Sequence, residues 1–153
     1  MRVQDIMSTG VKTVVRSASA DEAWTTMKDA RVHHLVVVDD RGKVTGVVSE
    51  RDLGGSRGGA VRKQACVGDL MTEQPLTAAA DLTVRDAANL LRGRSIGCLP
   101  VVERGKPVGI ITVTDMLELV GRGGLAAPGS TGKTRWKPVH RIARNPRVVT
   151  GRA

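Results

Sequence analysis

The sequence predicts an α/β (α+β) fold made of two similar halves, each with the order strand, helix, strand, strand, helix. The first supporting observation is a segment that occurs twice, at residues 46–53 and 109–116. It consists of a glycine, two apolar residues, a hydroxyl residue, two variable positions, an aspartate and an apolar residue. The other observations are two capped amphipathic helix patterns and two β-hairpin patterns, which recur at matching positions in both halves.

Each half opens with a short lead-in and a short strand. Residues 3–7 are expected to form a helical lead-in, whose Asp-Ile-Met returns as Asp-Leu-Met at residues 69–71. Residues 11–15 then predict a short strand, and residues 75–78 are its expected counterpart in the second half.

The clearest helix signal in each half is a capping pair followed by an apolar stripe. Ser19 and Glu22 have the spacing of a capping box, and Thr83 and Asp86 repeat it in the second half. The apolar residues that follow fall on one helical face. They are Ala20, Ala23, Trp24 and Met27 in the first half, and Val84, Ala87, Ala88 and Leu91 in the second.

A β-hairpin pattern and a helix start complete each half. The β-branched runs that flank the hairpin turns are residues 35–38 and 44–48, then 99–102 and 108–111. Ser49 and Thr112 follow these runs at the position of a helix N-cap. Asp52 and Asp115 come three residues later, in the first helical turn.

A hydroxyl, unpaired N–H groups and a carboxylate around one helix start form a set suited to a nucleotide. The N–H groups and the helix dipole attract phosphate, and a carboxylate accepts hydrogen bonds from a ribose diol. The alternative is a capping box that closes an ordinary helix. Because the set occurs in both halves, ligand binding by Asp52 and Asp115 is the favoured interpretation.

The composition indicates a globular protein with an aliphatic core, since 41% of the 153 residues are hydrophobic and the only aromatic residues are Trp24 and Trp136. No apolar run reaches the length of a membrane span, and the N-terminus lacks a signal-peptide pattern. We therefore expect a cytoplasmic protein without membrane contact. Cys66 and Cys98 lack metal-ligand spacing, so we expect no metal and two reduced thiols.

The formal net charge of +9 belongs to the C-terminal end of the chain. Eight of the 24 Lys and Arg residues, and none of the 15 acidic residues, follow residue 118. Residues 121–153 therefore form a basic tail that we expect to be disordered. Because such an arm is able to neutralise phosphates, weak nucleic-acid contact through the tail is an alternative function.

These patterns divide the chain into four parts. They are a first repeat at residues 1–53, a glycine-rich basic linker at 54–66, a second repeat at 67–120 and the tail at 121–153. The linker is expected to be either a flexible connector or a loop beside a ligand. A repeat of about 50 residues is too small to bury its helices and strands alone. We therefore expect the two repeats to share a core.

The aligned repeats resemble the tandem cystathionine-β-synthase (CBS) domain family over nearly all of the chain before the tail. The resemblance is carried by the Asp-Ile-Met lead-in, the capped helix, residues 34–39 and 98–103, and the Gly-x-x-Ser/Thr-x-x-Asp signature. It implies a stand-alone pair of βαββα repeats, packed with pseudo-twofold symmetry around two clefts and assembled as a homodimer. It also implies a sensor that needs no cofactor, binds AMP, ADP, ATP or S-adenosylmethionine, and signals occupancy to a regulated protein.

Matching positions in this family imply the ligand-binding residues. Asp52 and Asp115 would bind ribose hydroxyls. Ser49 and Thr112 would meet phosphate. The residues near the adenine would be Thr13, Val14, Thr77 and Ala78, and those that help to wall the clefts would be Val36, Val37, Pro100 and Val101.

Two departures from the family pattern distinguish the clefts. Val36 stands where the family commonly has a proline, which Pro100 keeps. Arg51 beside Asp52 is able to neutralise a phosphate, whereas its counterpart Thr114 is not. We therefore expect the cleft with Asp52 to be the better polyphosphate site. The alternative for Arg51 is a solvated surface position.

His33 and His34 begin a strand, where neighbouring residues face opposite sides. We therefore expect one packed and one exposed histidine, and no shared metal. His34 is retained as a candidate contact to a ligand phosphate. No set of catalytic residues emerges from the sequence, so we expect ligand binding without catalysis.

Overall fold

The computed structural model describes residues 1–124, which form the predicted α/β fold of two repeats. The elements of the first repeat are β1 Thr13–Val15, α1 Ala20–Ala30, β2 His34–Val38 and β3 Val44–Ser49. Between the repeats lies α2 Gly59–Gln64. The elements of the second repeat are α3 Val67–Leu70, β4 Thr72–Glu73, α4 Val84–Arg94, β5 Cys98–Glu103, β6 Lys106–Thr112 and α5 Val113–Gly121. We expect the tail, residues 121–153, to be disordered, but its residues beyond 124 lie outside the part of the chain that the structure describes.

Helices α1 and α4 begin and end alike, as their sequences predict. Ser19 Oγ accepts from Glu22 N–H, and Thr83 Oγ1 accepts from Asp86 N–H, both at 3.1 Å. Each helix ends at a residue in the left-handed conformation. Their inward faces are buried through Ala20, Ala23 and Met27, and through Val84, Ala87 and Leu91.

Two similar sheets form the centre of the molecule. The first has the order β1-β2-β3-β4, with β1 parallel to β2 and the other pairs antiparallel. In the second, β5 pairs with β6. Single bridges join Ser8 to Ile110 on β6 and Ala78 to Val101 on β5. These bridges match the places of β4 and β1 in the first sheet, so the two repeats are related by pseudo-twofold symmetry.

Each repeat is completed by the lead-in of the other. Val3 N–H donates to Leu82 O at 2.8 Å, and Val3 packs in the core of the second repeat. In the same way, Val67 N–H donates to Ala18 O at 2.9 Å, and Val67 packs in the core of the first repeat. Because the lead-ins are exchanged, neither repeat has a complete core of its own.

The glycine of the repeated segment lets the exchanged lead-in approach the sheet closely. A Cβ at Gly46 would stand 2.7 Å from Met71 Sδ and 3.0 Å from Thr72 O. A Cβ at Gly109 would overlap Met7, the residue that matches Met71. At both glycines the strand therefore packs closely against a methionine of the other lead-in, which would have to shift to admit a side chain.

The predicted strand at residues 75–78 is wrong, because only Ala78 forms a bridge. In the first repeat, Val36 N–H donates to Lys12 O at 3.1 Å and extends the pairing beside β1. The matching residue in the second repeat is Pro100, which has no N–H to donate. Pro100 thus shortens the pairing at the edge of the second sheet.

The helix predicted to start at Ser49 is wrong, and the structure also contradicts the first of the two alternatives for residues 54–66, a flexible connector. After Ser49 the chain makes one helical turn and then meets Gly54 and Gly55, whose φ values of 81° and 58° end it. The linker is folded: a short 3₁₀ helix, Gly55–Arg57, leads directly into α2. In the second repeat, Thr112 caps the longer helix α5, as predicted.

Candidate functional site

Two clefts lie between the repeats, and both repeats contribute to each. The larger has a volume of about 830 Å³ and contains the Ser49–Asp52 turn of the first repeat. The smaller has a volume of about 210 Å³ and contains the start of α5 in the second repeat. The sequence-predicted ligand residues that line these clefts are Ser49, Arg51, Asp52, Thr112, Asp115 and His34.

In the larger cleft, Ser49 and Asp52 hold each other in place directly after β3. Ser49 N–H donates to Asp52 Oδ2 at 2.7 Å, and Asp52 N–H donates to Ser49 Oγ at 3.1 Å. Both side chains are half-buried. The second repeat contributes Leu76 and residues 95–98 to the same cleft.

In the smaller cleft, Thr112 and Asp115 form the equivalent pair at the start of α5. Thr112 N–H donates to Asp115 Oδ2 at 2.7 Å, and Thr112 Oγ1 lies 2.8 Å from the same oxygen. The first repeat contributes Lys12, Arg31 and Val32. Each cleft thus joins a hydroxyl–aspartate pair of one repeat to residues of the other.

The two aspartates cap their turns with one oxygen only. Within residues 1–124, the protein donors to Asp52 and Asp115 reach Oδ2, and neither Oδ1 has a protein donor. An ionised carboxylate accepts hydrogen bonds on both oxygens. Capping therefore leaves Oδ1 of each aspartate available to a ligand hydroxyl.

Both clefts have cationic side chains, whereas the sequence predicts one only for the larger cleft. Arg51 is exposed and lines the larger cleft, as expected, but Glu50 lies beside it. The smaller cleft, where Thr114 replaces the arginine, is lined by Lys12 and Arg31. Comparison of the two repeated segments missed these cations because they come from the other repeat.

His33 and His34 line both clefts, so one pair of rings belongs to two sites. His34 is half-buried and His33 is exposed, as strand alternation predicts. Burial lowers the pKa of His34 below its ordinary value of 6.5, the positive charge of His33 lowers it further, and Asp52 opposes the shift. His34 is therefore neutral at neutral pH.

His33 is held at the rim of the clefts by Glu50. His33 Nδ1 lies 2.5 Å from Glu50 Oε2, and Lys28 Nζ lies 2.6 Å from Glu50 Oε1. Hydrogen bonds from Lys28 and then from His33 lower the pKa of Glu50. Glu50 thus stays ionised and joins the end of α1 to the entrance of the larger cleft.

Cys98 is buried in the wall of the larger cleft and is unreactive by its surroundings. Burial, followed by the negative charge of Asp52, raises the pKa of this thiol to about 12. A thiol that stays protonated is a poor nucleophile.

The remaining sequence-predicted residues lie beside the clefts or in the core. Thr13 and Val14 begin β1 and follow Lys12, which lines the smaller cleft. Thr77 follows Leu76, which lines the larger cleft. These three residues are therefore next in sequence to residues that line the clefts. The other five are buried: Val37 in the core of the first repeat, Ala78 and Val101 in that of the second, and Val36 and Pro100 on the opposite faces of their strands.

The turn formed by Gly54, Gly55 and Ser56 lines the larger cleft, which favours the second alternative for residues 54–66, a loop beside a ligand site. The signal was present as a pair of glycines directly after the Ser49–Asp52 turn. Two adjacent glycines admit a left-handed turn as readily as a flexible linker, and only the contacts of the turn decide between them.

Within residues 1–124, no group of three His, Cys, Asp or Glu side chains is arranged to hold a metal ion. In the same part of the chain, every helix is too short or too polar to span a membrane.

The paired repeats and their two interfacial clefts define a tandem α/β module. The family model of the CBS domain matches residues 3–53 and 67–122, and the chain belongs to this family. It is 31% identical over 118 residues to the uncharacterized protein YlbB of Bacillus subtilis, a match that covers 75% of this chain and 79% of that protein. The chain spans only 42% and 24% of two other curated relatives.

Two solved CBS structures resemble this one. The CBS domain pair of protein MJ0100, in complex with 5′-methylthioadenosine and S-adenosyl-L-methionine, has a TM-score of 0.74 and 27% identity, over 80% of this chain and 98% of that chain. CBSX2 of Arabidopsis thaliana, in complex with AMP, has a TM-score of 0.69 and 32% identity, over 80% and 98%. The ligands in both structures contain adenosine.

Proposed function

We propose that this protein is a regulatory module that binds an adenosine-containing ligand, such as AMP, ADP, ATP or S-adenosylmethionine, between its two repeats. The observation that carries the proposal is the repeated hydroxyl–aspartate pair, placed in each of two clefts at the junction of the repeats. The bound adenosine compounds of MJ0100 and CBSX2 support the choice of ligand class. Occupancy is signalled to a regulated protein, and the module performs no catalysis and requires no cofactor.

The larger cleft is the principal site. Its volume of about 830 Å³ falls in the range of small-molecule pockets, roughly 300–1,000 Å³. Phosphate lies at the Ser49 turn near Arg51, and ribose hydroxyls donate to Asp52 Oδ1. The smaller cleft, at about 210 Å³, offers less room, but Lys12 and Arg31 favour a compact anion there.

Titration calorimetry of the full chain with AMP, ATP and S-adenosylmethionine tests the proposal. Asp52→Ala should weaken binding in the larger cleft by more than about 1 kcal/mol, since hydrogen bonds to a charged group are lost. The matched control is Asp86→Ala, which removes a capping aspartate of α4 away from both clefts. Equal losses in the two variants, or no binding by the wild-type protein, would contradict the proposed site.

We also propose that the module forms a homodimer through α5. Val113, Leu117 and Val120 of this helix are 43%, 67% and 55% exposed, which is unusual for large apolar residues on one short helix. Leu117→Glu should convert the dimer to a monomer in light-scattering measurements. The control is Val61→Glu, at an exposed position of α2. A monomeric wild-type protein would contradict the proposal.

Nucleic-acid contact through the basic tail is the second candidate function. It is favoured by the concentration of eight basic residues, and no acidic residue, after residue 118. Truncation after residue 124 should abolish any binding to RNA or DNA and leave adenosine-ligand affinity unchanged. Retention of nucleic-acid binding by the truncated protein would contradict this role of the tail.

A further inference from the structure

The two repeats differ in the backbone that follows their hydroxyl–aspartate pairs. In the second repeat the chain continues as α5 for 9 residues. In the first repeat it makes a turn at Gly54, Gly55 and Ser56, and all three residues line the larger cleft. This turn, residues 54–56, has no counterpart in the smaller cleft.

The turn at residues 54–56 is held by backbone hydrogen bonds, from Gly54 N–H to Arg51 O and from Gly55 N–H to Glu50 O, and by the side chain of Arg62. Arg62 Nη1 donates to Leu53 O at 3.0 Å and to Gly55 O at 2.6 Å. Gly54 and Gly55 both have left-handed φ values, so the turn takes a conformation that few sequences adopt unaided. A donor that binds the carbonyls on both sides of Gly54 therefore fixes the path of the cleft wall.

Arg62 is anchored on its other side by α1. Its guanidinium stacks on Trp24, 4.0 Å from the ring centroid. Nε makes an ion-pair contact with Asp21 Oδ1 at 3.7 Å, which is too long for a hydrogen bond. Arg62 is only 6% exposed, and it does not line either cleft. Burial of a guanidinium is costly without such partners. These contacts therefore fix the position of Arg62 between α1 and the turn.

We propose that Arg62 is a positioning residue that sets the affinity of the larger cleft for the phosphate end of its ligand. This inference rests on the proposed function. The turn that Arg62 holds lies directly after Ser49 and Asp52, the proposed positions of phosphate and ribose, and it includes Ser56, which lines the same cleft. Loss of Arg62 should therefore weaken ligands that carry phosphate more than ligands that do not.

The test compares AMP with 5′-methylthioadenosine, which shares the adenosine group but has no phosphate. Arg62→Met should weaken AMP by about 5- to 20-fold, as expected when one or two hydrogen bonds to a charged group lose their alignment. It should change the affinity for 5′-methylthioadenosine by less than about threefold. The control is Lys63→Met, which removes one positive charge from an exposed neighbour in α2 and should affect neither ligand.

Calorimetry on full-length proteins gives each outcome a definite meaning. A merely structural role of Arg62 predicts equal weakening of both ligands, and that result, like no weakening at all, overturns the proposal. If Arg62→Met does not fold, Trp24→Leu decides, since it removes the stacking partner and should reproduce the selective loss of AMP. Failure of the wild-type protein to bind either ligand overturns the proposed function itself, whereas a non-selective Arg62 variant leaves that function standing.

Discussion

The substitution Gly109→Ala tests whether this glycine is needed for close packing or for its backbone conformation. Gly109 lies in β6, and its φ is one that any residue adopts. The three atoms nearest to an added Cβ all belong to the side chain of Met7, and Met7 Cγ would be 3.0 Å away. Met7 belongs to the exchanged lead-in, and Ser8, which follows it, lines the smaller cleft.

The expected magnitude follows from two opposing contributions. Overpacking costs about 1–3 kcal/mol, while replacing a strand glycine by alanine gains about 0.5–1 kcal/mol. Gly109→Ala should therefore lower the free energy of unfolding by up to about 2.5 kcal/mol. In a Met7→Ala background the obstructing atoms are gone, and the same substitution should be neutral or stabilise by up to about 1 kcal/mol.

Urea unfolding of the wild-type protein, the two single variants and the double variant measures this coupling. The matched comparison is Gly46→Ala with Met71→Ala, where rescue should be incomplete because the carbonyl oxygen of Thr72 remains 3.0 Å from the added Cβ. The reasoning is refuted if Gly109→Ala and Met7→Ala are additive within about 0.5 kcal/mol.

Three further predictions concern pH, thiol reactivity and the core. Because the pKa of His34 is lowered below 6.5 in the folded protein, the unfolded chain binds more protons below that pH. The free energy of unfolding should thus fall as pH drops below 6.5, with a smaller slope for His34→Asn in urea titrations. Iodoacetamide at pH 8 should label half-buried Cys66 before Cys98, as mass spectrometry would show; equal rates would contradict the burial of Cys98. Leu35→Ala should lower the free energy of unfolding by about 2–5 kcal/mol, and a loss as small as that of exposed Val61→Ala would contradict the assigned core.

The elements that the sequence predicted correctly are those specified by local signals. Ser19 and Thr83 cap α1 and α4 through side chains three residues from their partners, and the hairpins follow from β-branched runs around a turn. The hydroxyl–aspartate pairs are also local, and Asp52 and Asp115 line the two clefts.

The features that the sequence did not reveal depend on residues far apart in the chain. Exchange of the lead-ins brings Lys12 into the smaller cleft and Leu76 into the larger one, and no spacing rule connects these residues to the repeated segments. The glycines and basic residues of the linker are typical of flexible linkers, so the sequence left open whether it is a flexible connector or a loop beside a ligand. The contacts of Arg62 with Trp24 and with two backbone carbonyls order it instead.

The exchanged lead-ins also determine how occupancy of a cleft affects the rest of the module. Each cleft is walled by one repeat and by a segment of the other, so a change in the setting of the repeats alters both clefts together. A ligand shifts the relative orientation of the repeats only if it binds one orientation more tightly than another. Because His33 and His34 belong to both clefts, a ligand that orders these rings in one cleft changes the wall of the other. If both clefts bind ligand as proposed, we expect the two sites to be energetically coupled, with the same coupling factor in both directions.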